Sequence, residues 1–172
     1  MAEDKEVTEG MISDRNEKLE GMVDITEKPP VFRRARASGS IRLRESTIEA
    51  IKSGQVKKGD VLATARLAAI LAAKDTPRLI PMCHPIPLTG LEVSFQLQPE
   101  RVEAYVTVTS VGRTGVEMEA LAGVSAALLN VWDMVKYLEK DESGNYPDTA
   151  IEEIRVEQKE KGGALSTTKN LI

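Results

Sequence analysis

Leu91-Glu92-Val93-Ser94-Phe95-Gln96-Leu97 alternates apolar and polar side chains without a break. A period of two sends every second residue to the same face, so this stretch predicts a strand with one side on a core. Pro99-Glu100-Arg101 follows as a turn, and Val102 to about Val111 supplies a second strand, completing an antiparallel hairpin. Upstream, Ile41-Arg42-Leu43-Arg44 has the same period and predicts the first strand. Ser46-Thr47-Ile48-Glu49 reads as an S-x-x-E capping box opening a helix, with Gly54 to stop it. Asp60 is placed to cap a second helix reaching about Lys74, rich in alanine and ended by Pro77. Thr76 to Leu88 carries four prolines and reads as a stiff extended loop. Downstream of the hairpin, Thr114-Gly115-Val116-Glu117 is another capping box, opening the longest helix, which runs to about Glu139. A polar loop from Lys140 to Asp148 leads into a last strand, Ile151 to about Gln158.

The resulting order from Ile41 is β-α-β-β-α-β, with the first helical part split in two. It predicts an α+β fold of the ferredoxin-like kind, an antiparallel sheet with helices packed on one face. The other face is left to solvent or to packing between copies. Residues 1–20 are polar and charged and read as a flexible tail, 21–163 as a single domain, and 164–172 as a second loose tail. Met22-Val23-Asp24-Ile25 reads as a short extended stretch closed by Pro29-Pro30.

Composition narrows the function classes. The 172 residues suit one domain, and their 41% apolar content suffices for a core. Aromatic residues are 3%, too few for stacking single-stranded bases, and the net charge of −4 gives no general attraction to nucleic acid. An RNA-binding ferredoxin-like domain would need exposed aromatics on the hairpin, where only Phe95 and Tyr105 occur. The N-terminal region is charged and has no apolar run, which excludes a signal peptide or membrane span there. A lone Cys83 allows no internal disulfide and suits a reducing cytoplasm. Charge is nonetheless local: Arg33 to Lys58 holds eight basic residues and two acids, +6 in all, leaving −10 elsewhere. That field suits a small polyanion such as a nucleotide triphosphate, the plainer reading being a solvated arginine-rich strand pair.

No Walker loop or dinucleotide fingerprint is present, and Ser125 lies within a helix, not on a strand-to-helix elbow. Cys83 and His84, adjacent in sequence, do not make a zinc site alone. Lys58-Gly59-Asp60 and Gly112-Arg113-Thr114-Gly115 each set a cation and a glycine before a helix N-terminus, a place for anions or simply for capping. His84, the only histidine, sits on the proline-stiffened Pro81-Met82-Cys83-His84-Pro85. Asp133 and Lys136 share a helix face amid apolar neighbours, where burial would make them a tunable acid–base unit; the alternative is a surface ion pair. Glu117 has a structural role as the last capping-box residue. Glu119 should point about 160° away from it, so only one of the two can face a given partner.

Three stretches together, Lys58 to Arg66, Leu79 to Pro85, and Gly112 to Leu121 continued by Asp133-Met134-Val135-Lys136, closely resemble the cyclic pyranopterin monophosphate synthase family, the MoaC proteins of molybdenum cofactor biosynthesis. Met22-Val23-Asp24-Ile25 and Arg33-x-Ala35 match the family's N-terminal part, and the resemblance extends from about Met22 to Gly163. It implies a lyase that rearranges 3′,8-cyclo-7,8-dihydroguanosine triphosphate into cyclic pyranopterin monophosphate and releases pyrophosphate. It also implies a ferredoxin-like homohexamer, a trimer of dimers, with no organic or metal cofactor beyond Mg²⁺ accompanying the triphosphate. Lys58, Asp133 and Lys136 fall on the family's catalytic positions. Met82, Cys83, His84, Glu117, Met118 and Glu119 fall on its substrate-contacting positions, and Arg33 and Lys159 on basic positions associated with the phosphates. Arg113 stands where the family usually has lysine, and Lys159-Glu160-Lys161-Gly162-Gly163 departs from its Ser-Gly-Gly pattern. Glu119 and Asp133, fourteen residues apart on one helix, would be about 21 Å apart, which points to a site shared between two chains. The competing reading is a non-catalytic ferredoxin-like module that binds a nucleotide or other anion and regulates a partner.

Overall fold

The computed structural model describes residues 21–162; the tails expected at 1–20 and 164–172, and Gly163, lie outside the described residues. Its elements are β1 (Val31–Arg42), α1 (Glu45–Lys52), α2 (Val61–Lys74), α3 (Thr76–Leu79), β2 (Leu88–Gln98), β3 (Arg101–Gly112), α4 (Glu117–Glu139) and β4 (Ala150–Lys161). Four strands form one antiparallel sheet in the order β2-β3-β1-β4. The α+β expectation holds, and β1 and β3 occupy the centre.

The alternation that predicted the hairpin sets the core. Val102, Ala104, Val106 and Val108 of β3 are fully buried, beside Ala35, Ala37 and Ile41 of β1. Across the hairpin, Val93 pairs with Val106 and Phe95 with Ala104. Helix α4 covers this face together with α2, whose Ala65, Ala69 and Ala73 are buried. By length and composition α4 could cross a membrane, yet more than half of its apolar window is buried within the fold, as a core helix.

Small residues decide how close α4 lies. A Cβ on Gly123 would come within 3.1 Å of Val106 and 3.3 Å of the Ala69 carbonyl oxygen, and one on Gly39 within 2.9 Å of Val124. Both glycines therefore serve close approach. On the opposite sheet face the arginine-rich strand reading prevails. Arg36 pairs with Glu157 at 2.8 Å and lies over the Tyr105 ring, Arg34 pairs with Glu160, and Arg42 with Glu152. Acids of β4 thus neutralise much of the +6 segment locally.

Several local expectations are corrected. The first strand begins at Val31, ten residues before Ile41, because the Arg33–Ser40 run pairs with both β3 and β4 despite its polar composition. Neither capping box forms: α1 starts at Glu45 with Ser46 already inside it, and α4 starts at Glu117 after an uncapped Val116. Near α1, the Arg44 N–H instead donates to Glu139, a fully buried carboxylate that also accepts from the Thr149 hydroxyl at 2.7 Å. A partner ninety-five positions away in sequence has displaced a local one. Asp60 does cap α2, accepting from the Ala63 N–H at 2.9 Å, and Gly54 follows α1 at φ +69°. Pro77 opens a further helical turn, α3, where its missing N–H costs nothing. Met22–Ile25, read as a short extended stretch, enters neither helix nor sheet.

Gly123→Leu should lower unfolding free energy by about 1–3 kcal/mol through overpacking at the α4–β3 contact. Leu128→Ala, a fully buried truncation, should cost about 2–5 kcal/mol. Urea unfolding followed by circular dichroism measures both.

Candidate active site

Two groups of charged side chains stand at opposite ends of α4. At the C-terminal end, Asp133 projects from the helix with Lys136 one turn on, and Lys136 Nζ lies 2.7 Å from Asp133 Oδ1. Lys58, in the loop before α2, reaches the same carboxylate: its Nζ is 2.6 Å from Oδ2 and also donates to the Asp133 carbonyl oxygen at 2.8 Å. One carboxylate thus bridges two ammonium groups. The Lys57 N–H donates to the Tyr137 hydroxyl at 2.9 Å, tying the Lys58 loop to α4.

The expectation of a buried Asp133–Lys136 unit is corrected. Both side chains are about half exposed, because α4 turns this face away from the sheet toward water while Val131, Met134 and Val135 take the core. Electrostatics here are consequently those of pairing, not of desolvation. Hydrogen bonds from Lys136 and Lys58 hold the Asp133 carboxyl at a pKa of about 2, and Asp133 in turn raises that of Lys136. A depressed carboxyl pKa favours the fold above its unfolded value of about 3.8, and this favour is lost as pH falls toward 2. At neutral pH, Asp133 is anionic and Lys136 keeps its proton.

At the other end of α4 opens a cavity of about 440 Å³. One wall is the loop carrying Met82, Cys83 and His84; another is the entry to α4, with Gly115, Glu117, Met118 and Glu119. Val23, Ile25 and Lys28 close a third side. The segment read as a short extended stretch is therefore cavity wall, tied down by Arg113, whose guanidinium donates to the carbonyl oxygens of Ile25 and Thr26. Sequence reasoning left Arg113 as an anion contact or a surface cation beside a helix cap and missed this tie, whose partners are backbone atoms that leave no mark in side-chain pattern. It also missed Lys28. The prolines flanking Met82-Cys83-His84 were the legible signal for a rigid wall.

Glu117 and Glu119 both line this cavity, against the helical-wheel expectation. Glu117 is the first helical residue, and its carboxylate folds back over Gly115 instead of projecting along the wheel. Lys159 of β4 meets it at 3.2 Å. Glu119 is only 3% exposed, and its Oε2 has no hydrogen-bond partner among the described residues. Burial pushes its carboxyl pKa up and Glu117 adds to the rise, against a lowering bond from its own backbone. Burial, followed by Glu119, also raises the Cys83 thiol, which is thereby kept from thiolate chemistry. Arg33, on β1, donates from Nη2 to the Arg113 carbonyl oxygen at 3.4 Å, while its buried Nε is unpartnered among the described residues.

The structure thus gathers the residues singled out from sequence into two sets. Lys58, Asp133 and Lys136 form one; Met82, Cys83, His84, Glu117, Met118 and Glu119 form the other, with Lys159 bonded to it and Arg33 next to Arg113. Within one chain it does not join the sets, since fourteen residues of α4 separate Glu119 from Asp133 by about 21 Å. Among the described residues no three His, Cys, Asp or Glu side chains gather to hold a metal.

A carboxyl whose folded pKa is raised disfavours the fold as pH climbs through that pKa. Glu119→Gln should therefore raise stability at pH 8 by about 1 kcal/mol and confer no comparable gain at pH 4. Thermal unfolding at the two pH values tests this, and an equal shift at both would contradict it.

Comparison with known proteins places this geometry. A family model described as the MoaC family matches residues 22–162, nearly all of the described chain. A probable cyclic pyranopterin monophosphate synthase of Methanosarcina mazei is 62% identical over 143 residues, covering 83% of this chain and 91% of that protein. Proteins of the same name from Aeropyrum pernix and Thermococcus kodakarensis are 59% and 56% identical, covering 83% and 86% of this chain and 97% and 94% of theirs. Identity at this level across nearly the whole length of the relatives, over the span that contains both sets of charged side chains, leads to one conclusion: the chain belongs to the MoaC family.

Proposed function

We propose that this protein is a cyclic pyranopterin monophosphate synthase, a lyase of molybdenum cofactor biosynthesis. It converts 3′,8-cyclo-7,8-dihydroguanosine 5′-triphosphate into cyclic pyranopterin monophosphate and pyrophosphate. The observation that carries this reading is the Asp133 carboxylate bridging Lys58 and Lys136 at 2.6 and 2.7 Å. Opening a dihydropurine ring and closing a pyrazine ring require repeated proton transfers, and closing a cyclic phosphate requires charge stabilisation as pyrophosphate leaves. Two ammonium groups on one carboxylate suit both demands. Lys136, held protonated by Asp133, keeps its positive charge at neutral pH and offers it to the departing pyrophosphate.

The cavity at the start of α4 takes the guanine-derived rings in this reading. Glu119 and Glu117 offer acceptors to their N–H groups, His84 and Cys83 offer polar edges, and Met82 and Met118 offer apolar contact. Arg33 and Lys159 serve the phosphates. No organic cofactor is called for, and Mg²⁺ would enter only with the triphosphate.

A substrate of this size does not span 21 Å, so the working site combines the Lys58–Asp133–Lys136 end of one chain with the cavity of another. The assembly we infer is a homohexamer, a trimer of dimers with the sites at dimer interfaces, acting in the cytoplasm. A non-catalytic anion-binding module would account for the cavity but would give two lysines sharing one carboxylate no task.

A coupled assay tests the reading. Purified protein supplied with the cyclised dihydro-GTP intermediate should release pyrophosphate and yield a pterin that fluoresces after oxidation. Lys58→Ala, Lys136→Ala and Asp133→Asn should each lower turnover by roughly 10²–10⁴-fold while the fold is retained. Wild-type protein that binds the intermediate without turning it over would support the module instead.

A further inference from the structure

The carboxylate of Glu117 occupies an unusual place. It is folded back so tightly over Gly115 that a Cβ there would collide with it, and its Oε1 lies 3.2 Å from Lys159 Nζ. Helix α4 begins at Glu117 without a side-chain cap, so the carboxylate itself is the negative group at that helix end. Next to it, among the described residues, the buried Glu119 oxygen lacks a donor, and the buried Nε of Arg33, beside Arg113, lacks an acceptor. The region thus has an unmet need for an N–H donor and for an anionic oxygen, while an internal carboxylate engages Lys159.

We propose that the Glu117–Lys159 ion pair is an exchange latch, in which Glu117 stands in for a phosphate group of the ligand until one arrives. An incoming polyphosphate takes Lys159, and Glu117, released from Gly115, turns to the N–H donors of the ring system in the same cavity. Recognition of the two ends of the ligand is thereby coupled through one side chain. The exchange is cheap: Lys159 is 72% exposed, and ion pairs this open contribute little to the fold, so a multivalent anion displaces the carboxylate readily. Gly115 matters because any larger residue would deny Glu117 its latched position. The latch rests on the synthase reading for its ligand, yet it is separately testable.

The probe is inorganic pyrophosphate, titrated calorimetrically into the full-length protein, with circular dichroism to verify folding of each variant. Glu117→Gln removes the competing charge and should tighten pyrophosphate binding about fivefold to twentyfold. Gly115→Ala leaves the charge but evicts it from Lys159, and should tighten binding in the same direction by a smaller factor. Lys159→Met should weaken binding, and Glu117→Gln added to Lys159→Met should recover none of it. Unchanged or weaker pyrophosphate binding in both Glu117→Gln and Gly115→Ala overturns the latch. So does an absence of pyrophosphate binding in every variant of a protein that still turns over the cyclised intermediate, an outcome that leaves the synthase reading intact. Failure of wild-type turnover would strike that reading, whereas tightening in the two variants would uphold the latch as an anion exchange in its own right.

Discussion

Helix α4 runs about 35 Å across the sheet and touches it through some of its smallest residues. Gly123 against Val106 and Ala69, and Val124 against Gly39, bring its backbone close enough for the alanines of α2 to pack alongside. With two phenylalanines and one tryptophan in the whole chain, the core has few bulky side chains to bridge a wider gap. Close seating is therefore the condition for a dry interior, and it fixes where the two ends of α4 stand relative to β1, β4 and the loops.

Those ends carry the two sets of charged side chains, and the sets differ in kind. The C-terminal set is wet and governed by pairing: Asp133 is strongly acidic because two ammonium groups donate to it. The N-terminal set is partly dry and governed by burial: Glu119 and Cys83 are both pushed toward their neutral forms. A reaction that must move protons and expel pyrophosphate at one place, and hold a heterocycle at another, can use both environments. One straight helix cannot bring them together within a single chain.

Much of this was legible in the sequence, and the failures share a cause. The hairpin follows from periodicity and α2 from its Asp60 cap, both of which act within a few residues. Ser46-Thr47-Ile48-Glu49 and Thr114-Gly115-Val116-Glu117 look equally persuasive, but tertiary partners prevail: Glu139 reaches Arg44 from the far end of α4, and Lys159 engages Glu117 from β4. The first strand was shortened because an arginine-rich run hides its pairing with two neighbours. The trio of Lys58, Asp133 and Lys136 came from resemblance to a family; helical spacing alone linked only Asp133 with Lys136, and of its two readings, a unit buried among apolar neighbours or a surface ion pair, the structure bears out the second. The cavity walls formed by Val23, Ile25 and Lys28 depend on Arg113 bonding to backbone carbonyls, a contact that side-chain pattern does not encode.

The central claim is that each working site is assembled from two chains. Its most direct test mixes two inactive variants, Lys58→Ala and Glu119→Ala, into verified hetero-oligomers and measures turnover of the cyclised intermediate. In a symmetric pair, one of the two sites then carries both substitutions and the other carries neither. Random equal mixing should restore about a quarter of wild-type activity. Activity no higher than that of the separate variants, in oligomers shown to contain both chains, would contradict the claim.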